Sequence, residues 1–242
     1  PQGPGPFPAV LFNHGSGRAT NTPAGQEDQR NRLREAAILG PTFARHGYVF
    51  LFLFRRGAGL SVGQGTQGGD LMDGELATHG QEGRNRIQLQ LLQTDELSDA
   101  IAGLRFLRAL PEVEPRRVAA VGHSFGGSLT LLLAERDPDL RGAVVFSAAG
   151  YSWDRSPPLR ERLLAAVDAV TVPLFFVHAA NDYSLAPAHT LGDEMARLQK
   201  PHRVKIYPPA GETADDGHRF VYLNAAAWEQ DVFAFLDEQT KR

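Results

Sequence analysis

The chain has 242 residues, is 42% hydrophobic and 22% charged, and carries a net charge of -3. It is long enough to bury the core of a single α/β domain, and its charge does not steer it toward nucleic acid or an anionic membrane. It contains no cysteine, which removes disulfides, thiolate metal sites and a cysteine nucleophile together. Lys and Arg are scattered along the chain, as on a solvated mixed surface. No apolar run approaches the roughly 18 residues that a membrane-spanning helix needs. The chain starts at Pro1 and not at Met, so the expectation is a trimmed N-terminus, and the compartment stays open.

In chain order, short apolar runs alternate with helical patterns. Ala9–Phe12 reads as a buried strand ending at Asn13-His14-Gly15. Glu27–Arg45 has helical composition, and Tyr48–Phe54 is a second strand. Thr94–Leu110 is a helix with apolar residues at Leu97, Ile101, Leu104 and Leu107. Arg117–Val121 is a third strand and Ser124–Glu135 a Leu-rich helix. Strands follow at Ala143–Phe146, Pro173–Val177 and Val204–Tyr207, with helices at Pro187–Gln199 and Phe220–Glu238. The strands are continuous apolar runs, so both faces are buried. In this alternating order that predicts an α/β fold, a mostly parallel sheet with helices on both faces in one domain over 1–242. Ligand sites in such sheets lie at the carboxyl ends of the strands.

Two stretches break the rhythm. Arg55–Gly83 is polar and glycine-rich and reads as a long loop, with the expectation of a mobile flap over the site. Gly150–Asp168 holds Tyr151, Trp153, Pro157 and Pro158 before a short helix, and reads as a small cap segment.

The strongest chemical signal is Gly122-His123-Ser124-Phe125-Gly126, between the third strand and a helix. A serine on a sharp strand-to-helix turn projects from the sheet edge, and glycines on either side relieve the crowding. The helix N-terminus behind it offers free N–H groups to developing negative charge. A serine hydroxyl needs a neighbouring general base, oriented by a third group. For the acid, Asp182 follows the fifth strand in Asn181-Asp182-Tyr183. A turn-forming role would also suit it, and Asp215 and Asp216 are lesser candidates. Of the eight histidines, His218 sits in the polar loop Asp215-Asp216-Gly217-His218 before the last helix. His178 ends an apolar strand and reads as packed structure; His14 and His123 read as shaping the site.

With these residues in view the chain resembles the α/β-hydrolase superfamily, and within it the dienelactone-hydrolase-like and prolyl-oligopeptidase-like serine esterases. The resemblance runs from Pro8 to the last helix. Besides the elbow it rests on Phe12-Asn13-His14-Gly15-Ser16-Gly17, similar to the family's oxyanion loop, and on Arg56-Gly57-Ala58-Gly59-Leu60-Ser61. Phe54 stands where an Asp often precedes that Arg, and the antiparallel strands that usually open the sheet are not evident. Dienelactone hydrolase itself uses cysteine, so Ser124 points to esterase chemistry. The resemblance implies a chain order of Ser, acid, His, matched by Ser124, Asp182 and His218. It also implies an oxyanion hole from the backbone N–H groups of Ser16 and Phe125.

The expected activity is cleavage of a small-molecule carboxylic ester through an acyl-enzyme, with no cofactor and no metal. A peptidase or amidase, a thioesterase or acyl transferase, and a non-catalytic binding protein of the same fold remain alternatives. His14, Arg56, Tyr151, Trp153 and Tyr183 are candidates for a substrate pocket. Arg56 is weighed chiefly as a structural ion pair.

Overall fold

The computed structural model describes residues 1–241. Six strands form one parallel sheet: β1 (Phe7–Asn13), β2 (Val49–Leu53), β3 (Val113–His123), β4 (Ala143–Phe146), β5 (Leu174–Ala179) and β6 (His202–Tyr207). Their spatial order is β2-β1-β3-β4-β5-β6. The winding reverses between β1 and β3. The loops leaving those two strands diverge and open a crevice at their carboxyl ends, where ligands bind in sheets of this kind.

The apolar runs divide cleanly between two cores because successive strand residues face opposite ways. Ala9, Leu11, Val118, Ala120, Val145 and Phe176 join one core. Its helices are α2 (Gly68–Gln93), α3 (Asp95–Ala109), α4 (Phe125–Arg136), α5 (Pro157–Ala169) and α6 (Ala186–Arg197). Val10, Phe12, Ala119, Val121, Phe146 and Phe175 join the other, under α1 (Pro23–Arg45), α8 (Phe220–Leu223) and α9 (Ala225–Thr240). A short helix, α7 (Ala214–His218), precedes α8.

Helix α1 starts at a proper cap: the Thr22 hydroxyl accepts from the Gly25 N–H at 3.0 Å and Pro23 follows. Its buried positions Arg32, Glu35, Leu39, Thr42 and Phe43 repeat at helical spacing, but the first two are charged. In the core beneath α9, Trp228 is fully buried, donates its indole N–H to the Val221 carbonyl at 3.1 Å, and packs edge-on to Phe146. Trp228→Ala removes that area and strands the carbonyl, and is expected to cost about 3–5 kcal/mol of stability, read as a lowered urea midpoint.

The segment read as a glycine-rich loop over 55–83 is corrected by the structure. After a single 3₁₀ turn at Gly59–Ser61, the chain is helical from Gly68, with a break at Gly80, where φ is +64°. The helix survives its glycines because its ends are held by tertiary contacts. Asp70 accepts from the Thr20 N–H at 2.6 Å and Asp73 from the Ala19 N–H at 2.8 Å. At the other end Gln88, Leu91 and Leu92 are buried at helical spacing. Gly69 is required by close approach, since a Cβ there would overlap the Gly17 carbonyl. In the 150–168 segment, Gly150–Arg155 is a run of turns and α5 begins at Pro157.

Candidate active site

Strand β3 runs directly into the elbow. Ser124 adopts φ +57° and ψ -119°, a strained conformation for a residue with a Cβ. Backbone bonds hold it there: its N–H donates to the Phe146 carbonyl at 2.8 Å and its carbonyl accepts from Ser128 at 3.0 Å. The glycine at 126 serves a purpose the motif alone does not show. A Cβ there would overlap the carbonyls of Asn13 and His14, so Gly126 lets α4 nest against the end of β1. Asn13 reinforces that junction by donating to Thr130 Oγ1 at 2.9 Å.

His218 Nε2 lies 2.8 Å from Ser124 Oγ, and His218 Nδ1 lies 2.7 Å from Asp182 Oδ1. The structure thus brings together the three residues singled out in the sequence. Asp215 and Asp216 are turned elsewhere: Asp215 accepts from the Tyr183 hydroxyl at 3.3 Å, and Asp216 closes a capping box with Thr213 at the start of α7. The Asp182 side chain is fully buried and both of its oxygens accept hydrogen bonds. Oδ1 also accepts from the Tyr183 N–H at 2.7 Å, and Oδ2 accepts from His178 Nδ1 at 2.9 Å. Burial alone would raise the Asp182 pKa. Hydrogen bonds from His178 and His218 outweigh it and hold the carboxyl well below the usual carboxylate range.

Three further side chains brace the arrangement, of which His123 was read as shaping the site and the roles of His178 and Asn181 were not foreseen. His178 is buried as expected, but its ring steadies the far oxygen of Asp182. Asn181 sews two loops together: its Nδ2 donates to the carbonyls of Ala210 and Thr213 at 2.9 and 2.8 Å, and its Oδ1 accepts from the Ala210 N–H at 2.9 Å. His123 Nε2 donates to the His218 carbonyl at 2.8 Å, linking the elbow to the His218 loop. The only sequence signal for His178 is a polar residue inside an apolar run; the other two bonds join segments far apart in the chain.

Gly15 is buried beside Ser124: a Cβ on it would stand 3.5 Å from that of the serine. Gly15, Ser16 and Phe125 line one small cavity. Neither the Ser16 nor the Phe125 amide donates to an acceptor of the chain among the described residues.

The candidate pocket residues divide. Tyr183 and Tyr151 are exposed and form an aromatic pair, with Tyr183 set edge-on to His218 at a centroid distance of 5.3 Å. The Arg155 guanidinium lies 4.1 Å from the Tyr151 ring centre. Trp153 and His14 are corrected: Trp153 is packed in the core shared by α2 to α6, and His14 is buried under two arginines. Arg56 is committed to ion pairs with Asp99 at 2.8 Å and Asp95 at 3.0 Å. Among the described residues no group of three or more His, Asp or Glu side chains could hold a metal ion. No helix is long and apolar enough to cross a membrane.

Two histidines at this end of the sheet predict acid sensitivity. Burial, and then the neighbouring His218, push His123 down to about 3. Burial, and then Arg32 and Arg55, hold His14 well below its ordinary value of 6.5. Both folded values are depressed, so each ring stays neutral while the unfolded chain takes up a proton. Stability is therefore full above about pH 6.5 and falls by up to about 1.4 kcal/mol per pH unit for each ring below it. Urea midpoints measured from pH 7 to pH 4 check this, and His123→Gln should lessen the slope. A flat series would contradict buried neutral rings.

The fold and the arrangement around Ser124 define an α/β-hydrolase. The chain belongs to the dienelactone hydrolase family, whose family model matches residues 34–238. A Synechocystis sp. protein named "Putative carboxymethylenebutenolidase" is 28% identical over 165 residues, which is 66% of this chain and 66% of that protein. Among solved structures, the Pyrococcus furiosus esterase Pf2001 aligns with a TM-score of 0.62 at 17% identity, over 97% of this chain and 84% of that one. Est1E from Butyrivibrio proteoclasticus, solved with ferulic acid bound, gives 0.61 at 17% identity over 97% and 90%. An acylaminoacyl peptidase of Pyrococcus horikoshii gives 0.60 at 15% identity, over 98% of this chain but 37% of that one. At these identities the structural likeness concerns the fold.

Proposed function

We propose that the chain hydrolyses carboxylic esters through an acyl-enzyme on Ser124. The observation that carries this reading is the unbroken hydrogen-bonded line from Ser124 Oγ through both His218 nitrogens to Asp182. His218 Nε2 takes the hydroxyl proton as Oγ attacks the ester carbonyl, and Asp182 stabilises the imidazolium that forms. The carbonyl oxygen gains a negative charge and is held by the Ser16 and Phe125 N–H groups, with the start of α4 behind them. Collapse of the tetrahedral adduct breaks the C–O bond, and His218 returns its proton to the leaving alkoxide. Water then attacks the acyl-enzyme by the same steps and frees Ser124.

The Tyr183–Tyr151 pair walls the site beside His218 and favours an aromatic or apolar group on the ester. The names of two relatives, a carboxymethylenebutenolidase and an esterase, lean the same way toward ester chemistry.

A fluorophosphonate probe tests the reading, together with p-nitrophenyl esters and the p-nitroanilide of the same acyl group. The expected result is labelling at Ser124, with esters turned over far faster than the anilide. Absence of labelling at Ser124 would favour a non-catalytic binding protein, and faster anilide turnover a peptidase.

A further inference from the structure

Behind the His14–Gly17 loop lies a cluster of buried donors that the acyl-transfer reading does not use. Arg32 from α1 and Arg55 from the end of β2 are only 3% and 2% exposed. They converge on one imidazole. Arg32 Nη1 and Arg55 Nη2 both face His14 Nδ1, the second at 3.2 Å. They also hold the loop backbone: Arg32 Nη1 donates to the Gly15 carbonyl at 3.1 Å and Arg55 Nη2 to the His14 carbonyl at 2.9 Å.

The charges do not balance. Arg55 Nε pairs with the buried Glu96. Arg32 has no carboxylate partner among the described residues. Glu35, one turn along the same helix, is shared: it attracts Arg32 through space and pairs with Arg219 at 3.4 Å. Arg56 is already neutralised by Asp99 and Asp95. Glu96 and Glu35 thus stand against Arg55, Arg32 and the part-exposed Arg219, so the buried cluster is short of one negative charge, which is unfavourable unless an anion accompanies it.

The unpartnered atoms agree in kind. Arg32 Nε, Arg55 Nη1, Gln67 Nε2 and His14 Nε2 are buried nitrogens without a hydrogen-bond partner. The Gln67 amide is oriented by its own bond, since its Oε1 accepts from Gln29 Nε2 at 2.8 Å. The first three are N–H donors whichever tautomer His14 adopts, since its Nδ1 faces the Gly15 carbonyl at 2.7 Å as well as the two guanidinium groups. All four residues line the same cavity of about 10 Å³ that Gly15, Ser16 and Phe125 line, room for a single water-sized body. A water molecule accepts at most two of these bonds and leaves the charge uncompensated. A monatomic anion accepts several and neutralises Arg32, whereas a carboxylate is too large without moving the walls.

We propose that this cluster is a binding site for a small monovalent anion of the halide class, held by Arg32, Arg55 and Gln67. Its occupant braces the His14–Gly17 loop from behind.

The test titrates sodium chloride or bromide into the protein, with ionic strength held constant by sodium gluconate, whose anion is too large to enter. The thermal midpoint should rise with the logarithm of halide concentration above the dissociation constant, by about 3 °C at tenfold above it. Arg32→Gln should abolish the rise and Gln67→Ala should weaken halide binding. A crystal grown in bromide should show one anomalous peak within hydrogen-bond reach of Arg32 Nε and Arg55 Nη1. That peak decides the matter even if Arg32→Gln fails to fold. A midpoint that does not respond to halide, with no peak at the cluster, would overturn the proposal. Acetate giving the same rise and excluding bromide would overturn it too, by making the site one for carboxylates.

Discussion

Ser124→Ala is expected to lower kcat for p-nitrophenyl ester hydrolysis by about a million-fold, to the level left by binding and backbone donors alone. The fold should be untouched, because nothing structural hangs on the hydroxyl. The Ser124 Oγ bonds to His218 Nε2, whereas the elbow is held by the main-chain bonds to Phe146 and Ser128. Alanine meets the same strain as serine at φ +57°. Circular dichroism melts should therefore coincide within about 2 °C. Turnover within tenfold of the unmodified protein would remove Ser124 from the chemistry and place the nucleophile elsewhere.

Asp182→Asn should be the next largest loss, about ten-thousand-fold in kcat. The carboxylate does two things that an amide cannot. It carries the charge that stabilises the imidazolium of His218, and it accepts on both oxygens at once, from His218 and Tyr183 on Oδ1 and from His178 on Oδ2. An Asn side chain must present its NH2 either to His218, forcing the wrong tautomer, or to His178, which can turn its own tautomer to accept. The second arrangement preserves geometry but not charge. The variant should therefore keep its thermal midpoint better than its activity. Asp215→Asn is the control. Asp215 is at the surface and accepts only a 3.3 Å bond from the Tyr183 hydroxyl, so kcat should change by no more than about twofold. A large loss there with a small one at Asp182 would reverse the assignment of the acid.

Much of this molecule was legible in the order of its residues. The apolar runs announced a parallel sheet covered by helices on each side; this holds for the central strands, while the run at Val204–Tyr207 became an edge strand with Arg203, Val204 and Lys205 exposed. The glycines around Ser124 announced the turn, since few other residues tolerate that crowding. Asp182 and His218 were singled out by their polar loops at the carboxyl ends of strands together with the chain order that the resemblance implies, and the fold brings both to Ser124.

Other features were decided only by contacts between distant segments. Composition made 55–83 a loop, yet helix α2 is held by the Thr20 and Ala19 amides on Asp70 and Asp73, and its glycine at 69 answers to the carbonyl at 17. Trp153 and His14 looked available to a substrate, and packing buried both. His178 and Asn181, two strand-end residues with no motif, proved to be the braces of the acid and of its loop. Arg32 lay on the buried stripe of an ordinary helix, and its unbalanced charge appears only when β2, α2 and the loop after β1 close around it. The physical reason is common to all of these. Period and composition report whether a residue prefers water or core, whereas a hydrogen-bond partner, a steric limit or a charge imbalance belongs to pairs of segments that meet only in the folded chain.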